Sequence, residues 1–274
     1  MEKSSQYKLN LSTTLNVLSS GTPTPSTPSL IFLHFWGGSS RTFAPLISSL
    51  NPQIYTLSID FRGWGHSTGP LGPSVYSINT LALDIETLLP RLPIQEFILV
   101  GHSMGGKVAQ LVAGRNRLPG LKGVILLAPA PPTPLELPEE MREQQRTAYC
   151  SPESAEFVVR NVLSSCTPPL SDPIVKSLVD DMLKGNIFAR EAWPSYGMGE
   201  DVVVEARKID VPVLVVAGGL DRVEPVERLR KEVLGNVRGA VFVVVDGAGH
   251  LLMVERPGVV AGYVERFLEQ VTAG

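Results

Sequence analysis

Two cysteines in 274 residues are too few for a disulfide framework, and four scattered histidines add no metal-ligand spacing to them. A stapled scaffold and a zinc site are both excluded, so no metal and no cofactor are expected. No apolar stretch approaches the roughly 20 residues of a membrane span; the longest runs, 124–130 and 211–217, have the length of buried strands. Charge of one sign is also missing. Lys and Arg number 24 against 27 Asp and Glu, a net charge of −3, with no long run of either sign, which argues against nucleic acid or an anionic membrane as partner. Hydrophobic residues at 43% and charged residues at 19% exclude a disordered chain and leave a globule whose expected partner is a small molecule. The first residues, Met1 to Gln6, carry charge without an apolar segment behind them. That pattern predicts no secretory signal, a cytoplasmic setting and two reduced thiols.

Short β-branched runs alternate with amphipathic, helix-length segments along most of the chain. The alternation predicts an α/β fold around a mostly parallel, buried sheet flanked by helices. Strands are expected over 30–34, 54–60, 97–100, 124–128, 211–217 and 240–245, and helices over 41–50, 78–89, 103–114, 224–233 and 257–271. Polar and apolar residues alternate over 7–18, as in a half-exposed antiparallel hairpin. From 129 to 200 the strand signal stops, after a proline-rich start at 128–134, and helical patches follow over 139–149, 154–163 and 173–183. Such short helices bury too little to stand alone. The expected organisation is therefore a core of residues 1–130 and 206–274, interrupted by a helical cap insertion at 131–205 that lies over one edge of the sheet.

The strongest chemical signal is Gly101-His-Ser103-Met-Gly105, set between an apolar strand and a helix-like run. A serine on such a strand-to-helix turn is strained, its hydroxyl lifted out, and glycines on either side let neighbouring backbone pass. The helix N-terminus favours developing negative charge, and the backbone N–H of Met104 would supply half of an oxyanion hole. A serine hydroxyl needs a base, and the base needs an orienting acid. His250 follows the strand at 241–245 through a flexible turn and is the expected base. His102 precedes the serine and is expected to point away from its side chain, while His34 and His66 lie in early loops. Asp221 stands past the carboxyl end of the 211–217 strand, with Asp246 and Glu224 as competitors. Simple helix capping is the alternative role for Asp221.

Four segments together give the chain its likeness: His34-Phe-Trp-Gly-Gly-Ser39, Asp60-Phe-Arg-Gly-Trp-Gly-His-Ser67, the turn around Ser103, and Gly218-Gly-Leu-Asp221 with Gly249-His250. In these the chain resembles the α/β-hydrolase fold superfamily, over nearly its whole length outside the cap. The resemblance implies an eight-stranded sheet, a catalytic triad of Ser103, Asp221 and His250, and a second oxyanion donor from Trp36, with Phe35 next. Phe35 stands where the family usually has glycine. Asp60 and Arg62 are expected to brace loops. Phe35, Trp36, Trp193 and Tyr196 are expected to line the cavity for a largely apolar substrate. The implied activity is esterase- or lipase-like: hydrolysis of an ester, lactone, thioester or amide. A carbon–carbon bond hydrolase, a lyase, a perhydrolase and a slow-turnover ligand receptor are the alternatives on the same scaffold.

Overall fold

The computed structural model describes residues 2–273. The apolar runs of the sequence become the centre of one eight-stranded sheet: β1 (Lys3–Lys8), β2 (Thr14–Ser20), β3 (Ser29–Leu33), β4 (Thr56–Ile59), β5 (Phe97–His102), β6 (Leu121–Leu127), β7 (Val213–Gly218) and β8 (Val241–Val245). Their order is β1-β2-β4-β3-β5-β6-β7-β8, with β1/β2 and β2/β4 antiparallel and every other pair parallel. Strands β3 to β5 are buried along their full length; β3 and β5 read as apolar runs, whereas β4 (Thr-Leu-Ser-Ile) buries Thr56 and Ser58 as well. The chain lays β4 on one side of β3 and β5 on the other. That reversal opens a crevice at the carboxyl ends of the central strands, where open α/β sheets place their ligands.

The N-terminal hairpin differs from the expectation of 7–18. Its arms run past both ends of that window, and residues 9–13 form the turn, where Asn10 Oδ1 accepts the N–H groups of Ser12 and Thr13. Polar alternation continues through the turn and hides it. The segment expected as one helix at 224–233 is a short α-helix, Val226–Leu229, followed by a π-turn, Arg230–Leu234.

Between β6 and β7 the structure holds helices Glu139–Thr147, Pro152–Val158, Asp172–Lys184, Ile187–Ser195 and Val203–Ala206, with a π-turn at Val159–Leu163. These do not cover one edge of the sheet. They reach across its carboxyl end: Tyr149 and Arg190 bond the loop after β3, Asn186 bonds the loop after β4, and Leu163 bonds the loop after β8.

The loops beneath are braced by buried charge. Asp60, after β4, accepts from Ser40 N at 2.5 Å, Asn16 Nδ2 at 2.9 Å and His66 N at 2.9 Å, and so ties its own loop to the segment after β3 and to strand β2. Arg62 forks onto Asp84 with both contacts at 2.5 Å. Cys150 and Cys166 are free thiols. Among the described residues no helix is long and apolar enough to cross a membrane, and no group of three or more His, Cys, Asp or Glu could hold a metal ion.

Candidate active site

Ser103 sits between β5 and the helix Met104–Arg115 with φ 51° and ψ −117°. A side chain in this region costs on the order of 1–3 kcal/mol, and several contacts hold it there. Its N–H donates to Leu127 O on β6, and its carbonyl accepts from Gly106, Lys107 and Ala130. Gly105 is required at the turn: a Cβ there would lie 2.2 Å from Leu33 O, on the neighbouring strand β3. Ser103 is 8% exposed, and Met104, the first helical residue, is buried beside it. The first-turn N–H groups of a helix have no carbonyl partner within it, so Met104 offers a donor at the positive end of the dipole.

Strands β7 and β8 deliver the other two groups. Past β7, Asp221 is buried and uses its oxygens differently. Oδ1 accepts from Val223 N at 2.8 Å and Glu224 N at 3.0 Å, while Oδ2 meets His250 Nδ1 at 2.8 Å. It therefore caps the next turn and orients the imidazole at once. Gly218 lets the two loops approach, since a Cβ on it would lie 2.2 Å from Gly249 O.

His250 is 1% exposed. Its N–H donates to Leu163 O of the cap at 2.9 Å, and its carbonyl is bonded to His102 Nε2 at 2.9 Å. The rings of His102 and His250 stand 4.9 Å apart, which brings His250 against the residue preceding Ser103. Burial pulls the His250 imidazole down. The charge and hydrogen bond of Asp221, joined by Glu224 and Glu255, outweigh that pull and hold the group above its ordinary value. The bond to Asp221 assigns the Nδ1 proton and leaves Nε2 as the acceptor.

The loop after β3 is held by His34, whose Nε2 accepts from Phe61 N at 3.0 Å and whose Nδ1 donates to Phe35 O at 2.7 Å. Burial keeps this imidazole below its ordinary value, hence neutral and able to do both. The Phe35 ring is buried against the His102 ring at 5.2 Å. Trp36 is half-buried under the cap, its ring 4.2 Å from that of Tyr149 and its Nε1 donating to Arg190 O at 2.8 Å. Trp193 and Tyr196, on and just after the helix Ile187–Ser195, are half-buried against the core. The Tyr196 hydroxyl accepts from Tyr76 N at 3.3 Å.

Ser103, Met104, Asp221, His250, Phe35 and Trp36 thus gather at the carboxyl ends of β3, β5, β7 and β8, whereas Trp193 and Tyr196 belong to the cap. Three further residues support the site: His102 and Glu224, which the sequence offers as other candidates for base and acid, and Glu255, which it does not single out. His102 bonds the carbonyl of His250 and is kept neutral chiefly by burial. Glu255 accepts the N–H of Gly249 at 2.8 Å and of Ser165 at 3.4 Å, joining the His250 loop to the cap. Glu224 is buried with its carboxyl pushed up to about 8 by desolvation, against Arg228 at 2.9 Å. For Glu255 the one hint in sequence is its place close behind His250.

Comparison with known proteins places these features in company. A sequence model of the Alpha/beta hydrolase family matches residues 30–262. The chain is 25% identical to the non-heme chloroperoxidase CPO-A1 of Kitasatospora aureofaciens, over 81% of this chain and 84% of that protein. It is 27% identical to 3-oxoadipate enol-lactonase 2 of Acinetobacter baylyi, over 73% of each. Among solved structures, a bromoperoxidase from Bacillus anthracis superposes with a TM-score of 0.86 at 17% identity, covering 97% of this chain and 100% of the other.

Proposed function

Because this chain belongs to the alpha/beta hydrolase family, we propose that it is a serine hydrolase that cleaves an ester, lactone or related acyl bond of a small, largely apolar substrate through an acyl-enzyme. The observation that carries this reading is the 2.8 Å pairing of His250 Nδ1 with Asp221 Oδ2, held against the turn that carries Ser103. His250 Nε2 takes the proton of the Ser103 hydroxyl as its Oγ attacks the carbonyl carbon. The oxyanion forms at the N–H groups of Met104, at a helix N-terminus, and of Trp36, in the loop after β3, a preorganised pair of donors. The imidazolium then protonates the leaving oxygen, and water attacks the acyl-enzyme with His250 as base, releasing the acid and restoring Ser103. Asp221 keeps the imidazole in the required tautomer. Phe35, Trp36, Trp193 and Tyr196 supply apolar surface to the acyl or leaving group.

The chloroperoxidase named above supports a second reading, perhydrolysis. Hydrogen peroxide in place of water at the acyl-enzyme releases a peracid, which oxidises halide.

The test is to label the intact protein with a fluorophosphonate, map the adduct, and assay p-nitrophenyl esters and lactones with and without peroxide and bromide. The proposal expects the adduct on Ser103 and turnover in water. A folded protein that neither labels nor hydrolyses any of the panel overturns it. Bromination that needs both acetate and peroxide, with negligible hydrolysis, selects the second reading.

A further inference from the structure

The chain leaves β6 for the cap and returns to β7 by two strands of loop, and a single buried side chain holds both. Lys107 lies one turn into the helix that starts behind Ser103, and it is 1% exposed. Its Nζ donates to Thr133 O, on the outgoing loop, at 3.1 Å and to Met198 O, on the returning one, at 3.3 Å. The loops also bond each other, Leu135 N to Met198 O and Val202 N to Pro132 O, both at 2.9 Å. Thr133 is gripped a second time, since its hydroxyl donates to Glu232. Glu232 shares Arg228 with Glu224, whose N–H reaches Asp221 Oδ1. The outgoing loop is thereby tied to the helix of the proposed nucleophile and to the segment behind the proposed acid.

An ammonium placed here is expensive. A methionine would fill similar space without desolvating a charge, and charged side chains are almost never fully buried unless paired. The partners of Lys107 are carbonyls. Glu200, Asp201 and Glu224 attract it from further off and Arg228 repels it, and burial, the largest influence, brings the amine down to about 8. We propose that Lys107 is a positioning residue that latches both ends of the cap to the helix behind Ser103 and so sets how the cap seats over the site. Its effect on turnover rests on the serine-hydrolase reading; the latch itself does not.

Below pH 8 the charged amine makes charge-assisted bonds to both carbonyls, and above it the neutral amine makes weaker ones. Releasing the cap nevertheless returns the amine to water and to its ordinary range, so deprotonation favours the seated cap, and attachment is expected to hold or tighten as pH rises through 8. Fold stability moves the same way. The folded protein disfavours the charged form, so this lysine's burden on stability is greatest at neutral pH and lifts as the pH climbs toward the ordinary lysine range.

Native-state hydrogen exchange, corrected for intrinsic rates, tests the latch on the full chain. In Lys107→Met at pH 7, the Leu135 and Val202 amides are expected to exchange about tenfold faster, while β3 to β6 are unchanged and the melting temperature does not fall. Lys107→Gln, which keeps neutral donors, should recover part of the protection. Wild type at pH 9 should keep the two amides at least as protected as at pH 7. Unchanged exchange of the two amides in a folded Met variant, or in the Gln variant where the Met variant does not fold, overturns the proposal. In parallel, the Met variant should raise KM for ester substrates more than it lowers kcat. Loosened amides in a protein that hydrolyses nothing would leave the latch standing and sink the hydrolase reading; hydrolysis with unmoved amides would do the reverse.

Discussion

The sheet and the cap are held by different kinds of force. Strands β3 to β7 meet along parallel ladders with buried side chains on both faces, and no single contact decides their placement. The cap shares the apolar core through residues such as Met182, Ala189 and Ala192, and is hooked on besides by separate polar contacts. Trp36, Arg190 and Tyr149 form a closed triangle: Trp36 Nε1 to Arg190 O at 2.8 Å, Arg190 Nη1 to Tyr149 O at 2.6 Å, and Tyr149 Oη to Trp36 O at 3.0 Å. Asn186 donates to the Tyr76 hydroxyl at 2.6 Å, and Arg41 pairs with Asp181. A net hydrogen bond contributes about 1 kcal/mol, whereas a buried leucine cut to alanine loses about 2–5 kcal/mol. On the proposed mechanism that difference would give the chemistry to the sheet and access to the cap.

Substitutions in the two regions should therefore separate rate from access. The largest effect is expected from Ser103→Ala, a loss of about a millionfold in kcat and of all fluorophosphonate labelling, with the cap's exchange pattern untouched. If turnover survives, the chemistry does not sit on the sheet. Next comes Asp221→Asn, at about ten-thousandfold in kcat. It also carries a pH signature. Turnover requires neutral His250, so in wild type the rate falls as pH drops through a value above the ordinary imidazole one. Without the Asp221 charge, burial dominates and lowers that value, and the acid limb of kcat/KM moves to lower pH. An unmoved limb would show that the limb belongs to another group.

Leu126→Ala, at a fully buried position of β6, should remove about 3 kcal/mol from unfolding stability and leave KM unchanged in the folded fraction, measured by denaturant titration alongside kinetics. The smallest effect is the most informative about the cap. Tyr149→Phe deletes one side of the triangle and is expected to raise KM a few-fold with kcat constant and stability within about 1 kcal/mol. A fall in kcat without a change in KM would place Tyr149 with the chemistry and erase the contrast.

What sequence patterns convey follows the same division. Strands buried on both faces are mostly apolar, so β3, β5 and β7 are visible as runs while β4, with Thr56 and Ser58, is less so, and the Ser103 turn is visible because only glycine lets β3 pass so close. Asp221 is legible because it follows such a strand, and His250 because it follows the valine-rich run of β8, although that strand is half-exposed. The cap's helices show as patches, yet their seat over the carboxyl ends depends on pairs such as Tyr149 with Trp36 and Asn186 with Tyr76, which lie over a hundred residues apart. Lys107 is illegible for a related reason. On a helix whose other residues are almost all buried it looks like an ordinary surface lysine, and its two partners are backbone carbonyls that carry no residue identity. The hairpin arms were obscured by polar alternation that runs on through their turn.

One bond crosses from the cap into the heart of the site: Leu163 O accepts the N–H of His250. On the proposed mechanism the loop that presents the base and the cover above the site lean on one peptide carbonyl, so a displacement of the cap at Leu163 would be felt at the imidazole.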